Sequence, residues 1–225
     1  MIIAIDGPAA SGKSSTASGV ASQLGFRHID TGAMYRAITL KLIREKLDLS
    51  KTEDLKNLLN NLDLRVDFTQ DGQELYLDGV QLGDEIRSHE VTEFVADVSA
   101  QSLVRQYLLG VQREVASKHD VVLEGRDIGT VVFPDAEIKI YMVADSRVRA
   151  ARRQKDFARQ GIEKSLDELE EEILARDAHN AKRKLAPMRA AADATILDTT
   201  TMSIEDQINF IVSKVEASKS NGGTN

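Results

Sequence analysis

One stretch of this sequence carries chemistry in its spacing. Gly7-Pro8-Ala9-Ala10-Ser11-Gly12-Lys13-Ser14 fits G-x-x-x-x-G-K-[ST], and Ser15 follows. Glycines let successive backbone N–H groups turn inward around an anion, and a helix N-terminus adds the positive end of its dipole. Lys13 supplies a compact charge for β- and γ-phosphates, and the Ser14 hydroxyl is a hard oxygen ligand suited to Mg²⁺. Residues 7–15 are therefore a candidate triphosphate cradle. A dinucleotide fingerprint G-x-G-x-x-G is absent, as is the N-K-x-D signature of a guanine-reading switch.

The remaining candidates are arginines near the ends of elements. Asp30-Thr31-Gly32-Ala33-Met34-Tyr35-Arg36 follows a short apolar run, which puts it at the carboxyl end of a strand, where α/β proteins bind ligands. Arg36 can clamp a phosphate with Tyr35 as an aromatic wall; equally, Asp30 or Thr31 can cap a helix with Tyr35 in the core. Gly125-Arg126-Asp127 also follows a strand, so Arg126 and Asp127 share one turn, either facing a crevice or closing a salt bridge. Arg176 and Arg183 lie seven apart, two helical turns on one face, where a solvated charged helix is the plainer reading. Arg149, Arg152 and Arg153 share a face at i, i+3 and i+4, and by themselves read as solvated. The four histidines, His28, His89, His119 and His179, show no metal spacing.

These residues need a scaffold. Met1–Ile5 reads as a buried strand, Lys13–Leu24 as a helix with Gly25 at its C-cap, and Phe26–Ile29 as a strand. Residues 31–47 read as a helix. Ser50 and Glu53 have capping-box spacing ahead of a helix over 52–62. The period then changes: Leu64, Val66 and Phe68 alternate, as do Leu75 and Leu77, around a turn at Asp71-Gly72. A small antiparallel unit over about 63–84 thus interrupts the chain. Residues 89–117 return to helical spacing. Val121–Leu123, Ile138–Val143 and Ala194–Leu197 read as strands. Residues 147–160, 166–184 and 204–215 read as helices, the second capped by Ser165 with Glu168, and 216–225 as a polar tail. Strands alternating with helices predict a doubly wound parallel sheet.

Composition narrows the class. The chain has 225 residues, no cysteine, and 29 basic against 36 acidic side chains, for a net charge of −7. Disulfide scaffolds and thiolate chemistry are excluded, and the absence of cysteine suits a reducing, cytoplasmic setting. An acidic chain with no long apolar run predicts no nucleic-acid partner, no membrane and a monomer. A large ATPase would end a hydrophobic strand in a Walker-B Asp, where Val121–Leu123 is followed instead by Glu124-Gly125-Arg126-Asp127.

Taken together, DTGAMYR at 30–36, the β insert, Val104-Arg105, EGRDIGTVVFPDA at 124–136 and RD…R at 176–183 before Ala186-Pro187 make residues 1–215 resemble the bacterial cytidylate kinases. The resemblance implies a P-loop α/β core with a five-stranded parallel sheet (1–36, 85–146 and 185–215). It also implies a monophosphate-binding region with a β insert at about 37–84 and a short helical lid at about 147–165. It implies transfer of the γ-phosphoryl of ATP to CMP or dCMP, in pyrimidine nucleotide metabolism, with Mg²⁺ at Ser14. Thr31, Arg105 and Asp127 would read cytosine. Arg36, Arg126 and Arg183 would hold the CMP phosphate beside Tyr35, with Arg176 near the ribose and Lys13, Arg126 and Arg183 offsetting the transferring charge. Two positions depart from the pattern: Asn180 stands where many relatives carry an Asp on the sugar, and Ala96 where many carry a Ser near the base. The rivals are a kinase acting on UMP, AMP or shikimate, and a slowly hydrolysing nucleotide switch.

Overall fold

The computed structural model describes residues 1–69, 72–159 and 161–222. Its main sheet has five strands in the order β2-β6-β1-β7-β8, and a second sheet has three, β3-β4-β5. The strands are β1 (Ile2–Asp6), β2 (Arg27–Asp30), β3 (Leu64–Thr69), β4 (Gly72–Leu77), β5 (Val80–Gln81), β6 (Val121–Gly125), β7 (Ile138–Val143) and β8 (Thr195–Asp198). The pairs β1–β6, β1–β7 and β7–β8 are parallel, and the insert is antiparallel. The chain divides into two compact units, residues 1–26 with 121–225, and residues 27–120.

The first unit holds the central strands with α1 (Lys13–Leu24), α6 (Ser146–Arg159), α7 (Leu166–Ala181) and α8 (Ile204–Gly222). Its strands are nearly all apolar because both faces are covered, the usual pattern of a parallel sheet. Ile3, Ile5, Val122, Ile140 and Met142 pack with Val20 of α1 and Ile211, Val212 and Val215 of α8. Each such side chain contributes about 1.5–3 kcal/mol on burial. Gly25 ends α1 in the left-handed region, its N–H returning to Ser22. Ser165 and Glu168 close the expected capping box on α7. Two expectations fail here. The last helix continues past Val215 to Gly222, because Glu216, Ala217 and Lys219 favour helix and Ser220 bonds back to Glu216. The α7 helix stops at Ala181 instead of reaching Lys184, so Arg183 does not share a helical face with Arg176. Pro187 keeps its predecessor out of the right-handed helical region, and Ala186 sits at φ 49.

The second unit packs α2 (Thr31–Arg44), α3 (Thr52–Asn60), α4 (His89–Ala100) and α5 (Ser102–Ala116) with β2 and the insert, and Asp84–Arg87 forms a single 3₁₀ turn. The hairpin aligns Leu64 with Leu77 and Val66 with Leu75, as the alternation requires. Its expected Asp71-Gly72 turn lies in part outside the described residues. The Ser50–Glu53 capping box is not formed. Asp48 instead accepts the Ser50 N–H at 2.9 Å, and the helix starts from Lys51 with no side-chain cap. The helical run over 89–117 is two helices, broken where Gln101 is extended.

Candidate phosphoryl-transfer site

In the first unit the chain turns sharply after β1. Gly7 has φ +146, and a Cβ there would stand 2.2 Å from the Met142 carbonyl oxygen, so only glycine fits. Gly12, at φ +98, precedes α1. Between them, Ser11 Oγ donates to the Pro8 carbonyl at 3.1 Å, and Lys13 Nζ donates to the same carbonyl at 2.6 Å. Lys13 is 5% exposed. Burial, aided by the charge of Arg126, pushes its ammonium well below the ordinary lysine value. A cation held by neutral oxygens inside an N–H cradle is poised for an anion.

Ser14 Oγ donates to Glu124 Oε2 at 2.8 Å, and Glu124 is buried at the end of β6. Glu124 is a functional candidate that the sequence reading passed over. Its signal in the sequence is an acid ending a buried strand, a Glu where a Walker-B strand ends in Asp. A hydroxyl and a carboxylate make a hard-oxygen pair of the kind Mg²⁺ accepts while keeping phosphate and water on its other positions.

Arg149 and Arg152 of α6 are not solvated. Arg149 is buried, donates to the Ala144 and Ala9 carbonyls and pairs with Asp177, whose other oxygen accepts the Ala9 N–H at 3.4 Å. Arg152 donates to Ser11 O at 3.2 Å and to Thr199 O at 2.6 Å. Both thus grip the phosphate loop from α6, contrary to the expectation from spacing, because carbonyls far away in sequence supply their acceptors. Arg153 lies over the Phe157 ring of the same helix.

Arg126 and Asp127 follow β6. Asp127 is 6% exposed and opens a wide π-type turn over Ile128–Val132, its carbonyl accepting the Val131 N–H. Asp6, at the end of β1, accepts the Ile128 and Gly129 N–H groups, each at 2.8 Å. Burial pushes Asp6 up to about 6 against those two bonds, with the nearby Asp127 charge adding to the rise. Arg183 donates to Asn180 Oδ1, and Asn180 is buried. Arg176 is half-buried on α7.

In the second unit the alternatives for 30–36 are both partly realised. Asp30 caps α2 by accepting the Ala33 N–H at 2.8 Å, and its other oxygen pairs with Arg36 at 2.9 Å and Arg87 at 3.6 Å. Burial works to raise Asp30, but Arg36, the Ala33 N–H and Arg87 outweigh it and hold the carboxyl below the usual range. Gln73 of the insert accepts the Asp30 N–H at 2.6 Å. Thr31 is buried, Tyr35 is half-buried, and the Arg105 guanidinium lies 5.9 Å from the Tyr35 ring centre. The break at Gln101 lets Arg105 donate back to the Ser99 carbonyl. Thr31, Tyr35, Arg36 and Arg105 therefore belong to this unit. Residues 7–15, Arg126, Asp127, Arg176 and Arg183 belong to the other.

A phosphate loop between β1 and α1, an acid ending the neighbouring strand and arginines from helices beyond define the class: a P-loop kinase. The cytidylate kinase family model matches residues 3–217, and the chain belongs to that family. A curated cytidylate kinase from Pediococcus pentosaceus is 43% identical over 214 residues, covering 95% of each chain. An uncharacterized protein from Eubacterium ventriosum shares the fold at a TM-score of 0.52 and 13% identity, with 96% of this chain and 99% of that one covered. Among the described residues, no helix is long and apolar enough to cross a membrane.

Proposed function

We infer a division of labour for the reaction of this family, transfer of the γ-phosphoryl of ATP to CMP or dCMP. Lys13 and the N–H groups of residues 7–15 take the ATP phosphates. The observation that carries this is a desolvated Lys13 whose ammonium donates to the Pro8 carbonyl and the Ser11 hydroxyl inside the loop. Ser14 and Glu124 would hold Mg²⁺, which, when bound, offsets charge on the β- and γ-phosphates. Arg36, Arg126 and Arg183 hold the acceptor phosphate beside Tyr35, and Arg176 serves the ribose. A monophosphate oxygen is already nucleophilic at neutral pH, so no side chain is asked to act as base. Residues 37–84 form the monophosphate-binding region. Residues 147–165 form a lid that excludes water during transfer. The same reading includes a cytoplasmic monomer with small-molecule partners only.

Cytosine is read by Thr31, Arg105 and Asp127. A carboxylate only accepts hydrogen bonds. Cytosine presents an amine at its position 4, whereas uracil presents an acceptor there. Asp127 thus gains a charge-assisted bond with CMP and meets a second acceptor with UMP. The test is kcat/KM for CMP and UMP at saturating ATP, on wild type and Asp127→Asn, with folding checked by Tm. An amide can donate as well as accept, so the CMP-to-UMP ratio is expected to narrow by about 10-fold, about 1.4 kcal/mol. An unchanged ratio in a folded variant overturns the base-reading role.

A further inference from the structure

We propose that Asp6 is a positioning residue for acceptor recognition: its carboxylate fixes the turn that carries Arg126 and Asp127. The inference rests on the reading of Asp127 given above. Asp6 holds that dipeptide from both sides. Before it, Asp6 is the register partner of Gly125 at the end of the β1–β6 pairing. After it, Oδ1 accepts the Ile128 N–H and Oδ2 the Gly129 N–H, both at 2.8 Å and both buried. Only Arg126 and Asp127 lie between these anchors.

The residue type matters. Two successive N–H groups aimed at two oxygens need a group with two acceptors, which a carboxylate has and an amide does not. The wide turn beyond cannot serve those two N–H groups, because its own bonds run from the Val131 and Val132 N–H groups to Asp127 O and from the Phe133 N–H to Ile128 O. Burial and the Asp127 charge both work against an ionised Asp6. A carboxyl kept at that cost beside a second carboxylate, where an apolar residue would serve a mere strand end, points to a task at the turn. Asp6 also precedes Gly7, so one residue roots the phosphate loop and the acceptor-reading turn.

The test is a four-enzyme cycle of wild type, Asp6→Asn, Asp127→Asn and the double variant, assayed with CMP and UMP and with ATP varied separately. Asn keeps the volume and one acceptor but turns an NH₂ group toward the second N–H. Asp6→Asn is expected to raise KM for CMP about 10-fold and narrow the CMP-to-UMP ratio, leaving KM for ATP within about twofold. In the Asp127→Asn background it should narrow the ratio no further, because it acts through Asp127. An unchanged ratio in folded Asp6→Asn, or an undiminished extra narrowing in the double variant, overturns the proposal. An unchanged ratio in Asp127→Asn alone removes the base-reading role itself, and the proposal with it. Should Asp6→Asn not fold, hydrogen exchange on the wild type decides: the Ile128 and Gly129 amides must be protected before any substrate is added. Exchange at open-chain rates there also overturns it.

Discussion

The phosphate loop of the first unit and the start of α2 in the second unit are each organised around a cation, and they are built differently. Lys13 leans on a carbonyl and a hydroxyl, both neutral. Arg36 leans on a carboxylate that it shares with Arg87 and with the N-terminus of α2. An arriving phosphate replaces a carbonyl and a hydroxyl at Lys13, and its charge would favour the ammonium form that burial disfavours. At Arg36 the anion must share the guanidinium with Asp30. The buried Nε of Arg36, which meets no acceptor among the described residues, is the edge left for it. On the proposed reading, donor binding is built from backbone and burial, and acceptor binding from side chains that hold one another in place.

The contrast is broken most sharply at Lys13. Lys13→Ala is expected to fold, and its kcat should drop by at least about 10²-fold, as for loss of one preorganised stabiliser of transition-state charge. Near-normal turnover would show that the loop does not carry the chemistry. Arg126→Ala comes next, with a loss of about 10-fold or more in kcat/KM. It should fall equally on CMP, dCMP and UMP, since a phosphate clamp carries no base information. A loss confined to cytosine nucleotides would move Arg126 into base reading. The smallest effect is expected at Asp30. Asn caps a helix as well as Asp does, so Asp30→Asn should keep Tm within a few degrees while loosening Arg36. KM for CMP should rise about threefold, about 0.65 kcal/mol, with KM for ATP unchanged. Unchanged CMP kinetics would mean that the pair does not orient Arg36.

Local rules account for what the sequence made legible. The loop motif, the Gly25 cap, the Ser165–Glu168 box and the alternation of β3 and β4 each depend on residues a few positions apart. The misses have long-range causes. Arg149 and Arg152 have the spacing of a solvated face, yet their acceptors are Ala9, Ser11 and Thr199, which no periodicity links to α6. Asp6 follows the apolar run Met1–Ile5, and its partners lie 122 and 123 residues away. The Ser50 box lost to a closer competitor, Asp48. At the end of α7 the Asn180 carbonyl takes the Met188 N–H, a pairing across a loop that the charged run conceals.

The packing of α8 on α1 has a consequence for synthesis. A Cβ on Gly19 would meet Ile208 Cδ1 at 2.1 Å, and Gln207 accepts the Thr16 hydroxyl at 2.7 Å, so the helix behind the phosphate loop is finished only by the last helix of the chain. Residues 27–120 form their unit from one continuous run, whereas the other unit joins residues 1–26 to those beyond 120. On the ribosome, the contacts of the continuous unit can be gathered as the chain emerges, since domains tend to form in the order they are made. The first strand and helix must wait for their full cover until α8 is translated. The most familiar motif in the protein is therefore among its first residues to be made and among the last to be fully packed.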